Sequence, residues 1–177
     1  MKNIATHNGK FHADDVLAIA LVKIFIDKEI ITTRVKHATL DFDNYDLIID
    51  VGLKHDGVRY FDHHQDKKLS SACKLLWKSI NLNYPTVNKL VSLVSDFDTG
   101  ISMCSKFEFP KLIESLNTDN IYDDLTQLDA FNNAVDFTCS LINNYVKYDL
   151  EQEETEKIIK TTQVIDGVIR LPKYCKG

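Results

Sequence analysis

An aspartate followed at once by two histidines, Asp62-His63-His64, is the part of this sequence best equipped for chemistry. The triplet follows a short apolar and aromatic run, residues 58–61, which predicts a β-strand. Open α/β sheets bind ligands outside the carboxyl ends of their strands, so the triplet would lie on a binding edge. Carboxylate and imidazole groups at such a point could ligate a metal ion and contact a phosphate.

Three further polar groups stand at the ends of predicted elements: His7, His12 and Asp14; Asp50; and Asp96 with Asp98. If these groups share one edge of a sheet, their carboxylates repel one another unless cations lie between them. The candidates outnumber the ligands of one ion, so we expect two ions about 3.5–4 Å apart that share a carboxylate and a water. Mixed aspartate and histidine ligands suit Mn²⁺, and also Zn²⁺, Co²⁺ or Fe²⁺, whereas Mg²⁺ prefers oxygen.

Simpler interpretations stay open for some of these residues. Asp14 or Asp15 could cap the helix that begins there, because a helix N-terminus favours a carboxylate. Asp50 could start a turn before Gly52. The metal role is favoured for Asp50 because it follows a continuous apolar run, where an unpaired charge is costly to bury.

A second anion site is predicted after the triplet. Ser70 or Ser71 would cap the next helix, and the N-terminus of that helix lies close to Lys68. We therefore expect Lys68, Ser70 and Ser71 to contribute to substrate phosphate binding, although capping alone would explain the serines.

The elements that must position these groups alternate between strand and helix, which predicts an α/β fold with a mostly parallel sheet flanked by helices. We expect strands at residues 2–6, 30–35, 46–52 and 58–61, helices from 14, 73 and 85, a short helix near 111–116, and a long C-terminal helical segment at 126–161. The pattern that follows, around Asp166-Gly167, predicts a hairpin or a strand.

The composition bounds the class of protein. The 177 residues suit one domain of ordinary size, and the net charge of -5 argues against a protein that coats nucleic acid non-specifically. It does not exclude an enzyme with a phosphate substrate, because bound cations supply positive charge locally. The four cysteines form no CxxC pair, which argues against zinc fingers and redox motifs. Without an apolar leader or spanning segment, we expect a cytoplasmic protein with no membrane association.

Five motifs, in this order, resemble the melanocyte-proliferating-gene nuclease family (also described as metal-dependent protein hydrolases) of the DHH phosphoesterase superfamily. The resemblance runs from residue 5 to about residue 160. The motifs are Thr6-His7-Asn8-Gly9-Lys10-Phe11-His12-Ala13-Asp14, Ile49-Asp50-Val51-Gly52, Tyr60-Phe61-Asp62-His63-His64-Gln65, Lys68-Leu69-Ser70-Ser71-Ala72 and Asp96-Phe97-Asp98-Thr99-Gly100-Ile101. The resemblance implies a parallel α/β catalytic domain with two Mn²⁺-type ions and 3′–5′ exonuclease activity on RNA or short oligonucleotides.

Carried over by position, the resemblance implies these roles. The metal ligands would be His7, His12, Asp14, Asp50, His63 and Asp98, with Asp96 a further candidate; His12 stands where the superfamily has an aspartate. Asp50 would bridge the ions. The catalytic pair would be His64, facing the phosphate as a general acid, and Asp62, orienting a histidine.

Two departures from the family pattern keep alternatives open. Family members usually continue into a second domain; here residues 1–162 match the catalytic domain, and residues 163–177 would be a short tail where the second domain begins. The family also more often has Asn where Thr99 stands. A homodimer or another partner could complete the substrate site. The alternatives are a hydrolase of small phosphoanhydrides or dinucleotides, and a catalytically idle metal-binding domain that regulates or scaffolds.

Overall fold

Four parallel strands form the sheet in the computed structural model, which describes residues 2–162, 164–165 and 168–169. The strands are β1 (Lys2–His7), β2 (Ile30–Val35), β3 (Leu47–Ile49) and β4 (Tyr60–Phe61). Their order is β2-β1-β3-β4, and each neighbouring pair is parallel. The predicted α/β class with a parallel sheet is thereby confirmed. All four carboxyl ends meet at one edge.

Five α-helices supply the main core, which lies on one face of this sheet. They are α1 (Ala13–Phe25), α2 (Ala72–Ile80), α3 (Pro85–Asp98), α4 (Phe109–Glu114) and α5 (Asp124–Thr161). Ten successive residues of α1, 13–22, are buried, since the helix contacts the other four helices and β3. A helix that is apolar on all sides can occupy only such a central place.

Local sequence signals explain where α3 and α5 begin and end. Pro85 opens α3 with a φ angle that suits a first helical turn, and Gly100 follows its end in a left-handed conformation, φ 74°. Asp123 caps α5, accepting from the backbone N–H of Leu125. The long C-terminal segment is one helix of 38 residues, rather than two in series.

The other face of the sheet carries a thinner cover. A small cluster of Ala5, Ile48 and Val51 packs beneath Leu40 and Phe42, which belong to a segment with two 3-10 turns, His37–Thr39 and Phe42–Asn44. This segment is tied down from β4, because the guanidinium of Arg59 donates to the carbonyl oxygens of Phe42 and Tyr45. Gly52 is required beneath it, since a Cβ there would lie 3.1 Å from Leu40 and from Phe42.

Beyond α5, two short strands, β5 (Val164–Ile165) and β6 (Val168–Ile169), pair antiparallel. The Asp166-Gly167 turn predicted between them lies outside the described residues, as does Cys175. The domain boundary at residue 162 stays a prediction. Cys73, Cys104 and Cys139 are free thiols.

Within residues 2–162, no helix has both the length and the apolar character needed to cross a membrane.

Candidate metal centre

Four separate parts of the chain bring histidine and aspartate side chains together at the carboxyl edge of the sheet. Three groups of these side chains have ligand atoms within 4.8 Å of one another: His7, Asp15 and Asp50; Asp14, His63 and Asp98; and Asp50, His63 and His64. The groups overlap through Asp50 and His63. Every member comes from the end of a strand, from the first turn of α1 or from the last residue of α3.

Asp50 lies at the centre of the cluster and is 4% exposed. One carboxylate oxygen, Oδ2, lies 3.5 Å from His7 Nε2, and the other, Oδ1, lies 3.5 Å from His63 Nε2. Its backbone has a left-handed φ of 56°, a conformation that is uncommon for residues other than glycine and clusters at functional sites. A carboxylate whose two oxygens face different histidines has the arrangement of a bridging ligand.

The first ligand group is built from β1 and α1. His7 Nε2 lies 3.3 Å from Asp15 Oδ2, and His7 Nδ1 lies 3.0 Å from the carbonyl oxygen of Asn8. A backbone carbonyl beside Nδ1 favours a proton on that nitrogen, which leaves Nε2 with a lone pair for a metal ion.

The second ligand group joins β4, α1 and α3. His63 Nε2 lies 3.1 Å from Asp98 Oδ2 and 3.9 Å from Asp14 Oδ2. Asp14 also accepts hydrogen bonds of 2.8 Å from the backbone N–H groups of Ala72 and Cys73, where α2 begins. These bonds hold the Asp14 carboxylate in place beside His63.

His64 is held by the aspartate of its own triplet. Its Nδ1 lies 2.7 Å from Oδ1 of Asp62, and Asp62 also accepts a 2.7 Å hydrogen bond from the N–H of Leu53. The hydrogen bond to Asp62 raises the pKa of His64, and it leaves Nε2 as the free nitrogen of a ring that is 54% exposed.

The donor set fits a cation. Asp15 Oδ2, Asp50 Oδ1 and His63 Nε2 are buried and have no hydrogen-bond partner among the described residues. The 3.1 Å approach of His63 to Asp98 is thus a close contact without hydrogen-bond geometry. Buried polar atoms without partners are rare and cost about 1–3 kcal/mol each. All three belong to the ligand groups, where a metal ion would satisfy them.

Without a cation, the cluster retains protons. Burial lowers the pKa of His63, but the nearby carboxylates of Asp50 and Asp98 outweigh it and raise that pKa to about 10. His7 follows the same pattern, with Asp15 and Asp50 raising its pKa to about 10 against burial. Burial, with the charges of Asp50 and Asp98, raises the pKa of Asp14 to about 7. A metal ion would replace these protons.

Two predicted ligands lie outside the three groups. The ring of His12 lies 5.6 Å from that of His7, centroid to centroid, and its backbone N–H donates to Asp15 Oδ1. Asp96 Oδ1 lies 3.6 Å from Lys74 Nζ. Their metal roles stay predictions.

The predicted phosphate contacts lie in different settings. Lys68 is exposed, Ser70 Oγ lies 3.4 Å from Lys78 Nζ, and Ser71 is buried, with its N–H donating to Ser95 Oγ. Ser71 does occupy the N-cap position of α2, but its side chain makes no capping hydrogen bond. Their role in substrate binding also stays a prediction.

A clamp of polar side chains holds the loop between β1 and α1, and sequence reasoning missed it. Asn117 exchanges two hydrogen bonds of 2.9 Å with the backbone of Phe11. Gln127, on α5, and Arg34, on β2, each donate a 3.0 Å hydrogen bond to the carbonyl oxygen of Gly9. The clamp fixes the loop that separates His7 from Asp14. Its residues are about 100 positions away, or on another strand, so no local pattern could reveal it.

Two cavities adjoin the ligand groups. A cavity of about 230 Å³ lies between α1, α3 and α4, and a more open cleft of about 550 Å³ lies over the ends of β3 and β4. His12 and Asp98 line both. His37, which sequence reasoning did not single out, lines the open cleft.

The chain is similar to proteins of one family. The family MYG1_exonuc, described as an uncharacterised protein family (UPF0160), matches residues 3–82. Over 65 residues the chain is 45% identical to a MYG1 protein of Schizosaccharomyces pombe, covering 35% of the chain and 19% of that relative. A human MYG1 exonuclease is 41% identical over 66 residues, covering 35% of the chain and 17% of that relative.

A longer match links the chain to a MYG1 protein of Chlamydia pneumoniae, which is 30% identical over 170 residues, covering 84% of the chain and 56% of the relative. The matched part thus spans just over half of the bacterial relative, and less than a fifth of the yeast and human ones. No solved structure matches the chain.

Proposed function

Since the chain belongs to the MYG1 exonuclease family, we propose that it is a metal-dependent phosphodiesterase that removes nucleotides from the 3′ end of RNA or short oligonucleotides. The observation that carries the proposal is the shared position of Asp50, whose two oxygens face His7 on one side and His63 on the other. The ligand groups on either side would hold two ions, with Mn²⁺ the best match to their mixed donors.

The first and second ligand groups would each hold a different ion. His7 and Asp15 would hold one ion; Asp14, His63 and Asp98 would hold the other; Asp50 would bind both. Bound divalent ions supply an acidified water and neutralise charge on a phosphodiester. We assign to Asp15 the position that the resemblance gives to His12, because Asp15 shares a ligand group with His7 and has an unpartnered oxygen, whereas His12 belongs to none of the three groups. His12 then forms part of the cavity wall.

His64 is the proton donor of the proposed reaction. Its Nδ1 is engaged by Asp62, so Nε2 is available to protonate the leaving oxygen of the substrate. The hydrogen bond to Asp62 raises the pKa of His64, which favours the protonated form that can donate. Asp62 is a positioning residue, buried and fixed in turn by the N–H of Leu53.

Hydrolysis of bis-p-nitrophenyl phosphate and of a short labelled RNA tests the proposal. We expect turnover with Mn²⁺, loss with EDTA, and loss in Asp50→Ala and His63→Ala. Asp129→Ala, an exposed carboxylate on α5, is the matched control and should behave as the unaltered protein. Absence of turnover with every divalent metal, together with absence of bound metal by elemental analysis, contradicts the proposal.

The same assay identifies the substrate class. RNA labelled at either end, DNA, a dinucleotide and pyrophosphate would be compared at equal concentration. Loss of the 3′ label first, as a nucleoside 5′-monophosphate, is the expected result. Preferred cleavage of pyrophosphate or of the dinucleotide would instead assign the site to small phosphate substrates.

A further inference from the structure

We propose that the cavity of about 230 Å³ between α1, α3 and α4 binds the terminal nucleoside of the substrate, and that Glu114 recognises the free hydroxyls of its ribose. The inference rests on the proposed function and specifies which side of the metal centre receives the end of the strand.

The position of the cavity supports this assignment. Asp14 and Asp98, which belong to the second ligand group, also line it, so the cavity begins where a metal-bound phosphate would lie. A volume of about 230 Å³ lies below the roughly 300–1,000 Å³ of drug-sized sites, so the cavity can take only a small ligand such as one nucleoside. The neighbouring cleft over the ends of β3 and β4 is about twice as large, and it suits the remaining strand.

The lining of the cavity combines an aromatic surface with a hydrogen-bond acceptor. Val94 and the half-buried ring of Phe97 come from the last turns of α3 and offer an apolar surface for a base. Glu114, the last residue of α4, lines the same cavity. Stacking on aromatic side chains and hydrogen bonds from ribose hydroxyls to a carboxylate are common means of holding a nucleoside.

Two lysines keep the Glu114 carboxylate in place. Lys111 Nζ lies 2.9 Å from Glu114 Oε2 and 4.7 Å from the centroid of the Phe97 ring, so it links the two proposed contacts. Lys10 Nζ lies 3.8 Å from the same oxygen. A carboxylate accepts hydrogen bonds from neutral hydroxyls but repels a phosphate. The strand would therefore enter with its ribose toward Glu114 and its phosphate toward the ligand groups.

The inference is tested first by changing the ligand. Binding of adenosine 5′-monophosphate is measured by calorimetry with Mn²⁺ and compared with the 2′,3′-dideoxy analogue. We expect the dideoxy analogue to bind at least tenfold more weakly. We also expect an RNA ending in a dideoxynucleotide to be hydrolysed at least tenfold more slowly than one with a free 2′,3′-diol. Equal binding and equal hydrolysis of the two ends would overturn the inference.

Variants then locate the contact. Glu114→Gln and Phe97→Leu should weaken binding of adenosine 5′-monophosphate at least tenfold, and should lower the ratio of RNA to bis-p-nitrophenyl phosphate hydrolysis by the same factor. Glu151→Gln, which also removes a carboxylate paired with a lysine, should change neither. Unaltered binding in both cavity variants would refute the inference. If the protein hydrolyses no phosphodiester, the proposed function fails, while the binding comparison still decides whether the cavity takes a nucleoside.

Discussion

Asp14 and Asp15 are adjacent in the chain, yet their carboxylates belong to different ligand groups. Asp15 Oδ2 lies 3.3 Å from His7, whereas Asp14 Oδ2 lies 3.9 Å from His63. Successive residues of a helix point about 100° apart, so one turn of α1 can present a carboxylate to each side of Asp50. Both side chains are fully buried.

We expect Asp15→Asn and Asp14→Asn each to remove about one equivalent of bound Mn²⁺, leaving the other ion. An amide is a poorer ligand than a carboxylate for a hard cation, and each residue lies in only one ligand group. Elemental analysis after dialysis measures the stoichiometry, and Asp129→Asn serves as the exposed control. Retention of two equivalents in Asp15→Asn would show that Asp15 is not a ligand.

The metal-free protein should lose stability as the pH rises from about 6.5 to 10. His7 and His63 have pKa values of about 10 in the fold against 6.5 as ordinary groups, so their stabilising protons are fully bound below 6.5 and lost through 10. The fold also raises the pKa of Asp14 from 3.8 to about 7, so the proton on Asp14 stabilises the fold and is lost as the pH rises between those values.

Urea unfolding at pH 6, 7.5 and 9 measures this dependence. Because Mn²⁺ replaces the protons, its stabilising effect should be larger at pH 9 than at pH 6. Metal-free stability that stays constant or increases over this range would contradict the assignment.

His64→Gln should lower kcat by about 10²- to 10⁴-fold while leaving metal stoichiometry unchanged, because its proposed role is proton donation rather than ligation. His55→Gln is the matched control; His55 is also exposed and contacts a backbone carbonyl, that of Tyr60, but does not line the cleft. Steady-state rates and elemental analysis separate the two roles. Loss of a metal ion in His64→Gln would reassign the residue as a ligand.

Gln127→Ala should destabilise the protein by about 1–3 kcal/mol, because it removes a hydrogen bond to Gly9 and takes away the acceptor of the N–H and hydroxyl of Thr118. Gln127 is 1% exposed, whereas Gln152, also on α5, is exposed and supplies the control, Gln152→Ala. Since the clamp fixes the loop between His7 and Asp14, we also expect weaker Mn²⁺ binding in Gln127→Ala. Denaturant unfolding measures the change in stability, and metal titration measures the change in Mn²⁺ binding. Equal stability of Gln127→Ala and Gln152→Ala would contradict the role of the clamp.

The sequence predicted the elements more fully than the ligand sets. The β-branched run at residues 30–35 is β2 itself, and Pro85 marks the start of α3. The rotation of α1 could not be predicted, because this helix is apolar on all sides and no stripe distinguishes Asp14 from Asp15. Sequence reasoning therefore predicted His12 and Asp14 as metal ligands, and it considered Asp15 only as a possible helix cap. The clamp on Gly9 depends on contacts across more than a hundred residues, which local patterns do not encode.

The thin cover over β3 sets how this sheet should exchange its amide hydrogens with solvent. Leu40 and Phe42 shield Ile48 on one face, whereas the helical core shields its neighbours on the other. Segments with few buried contacts open locally at a smaller free energy than global unfolding requires. If the Arg59 guanidinium transiently released the carbonyl oxygens of Phe42 and Tyr45, the 2.9 Å hydrogen bond from the N–H of Ile48 to the carbonyl of Arg59 would become exposed to solvent. Local opening of the sheet beneath the candidate metal centre would therefore start from this face.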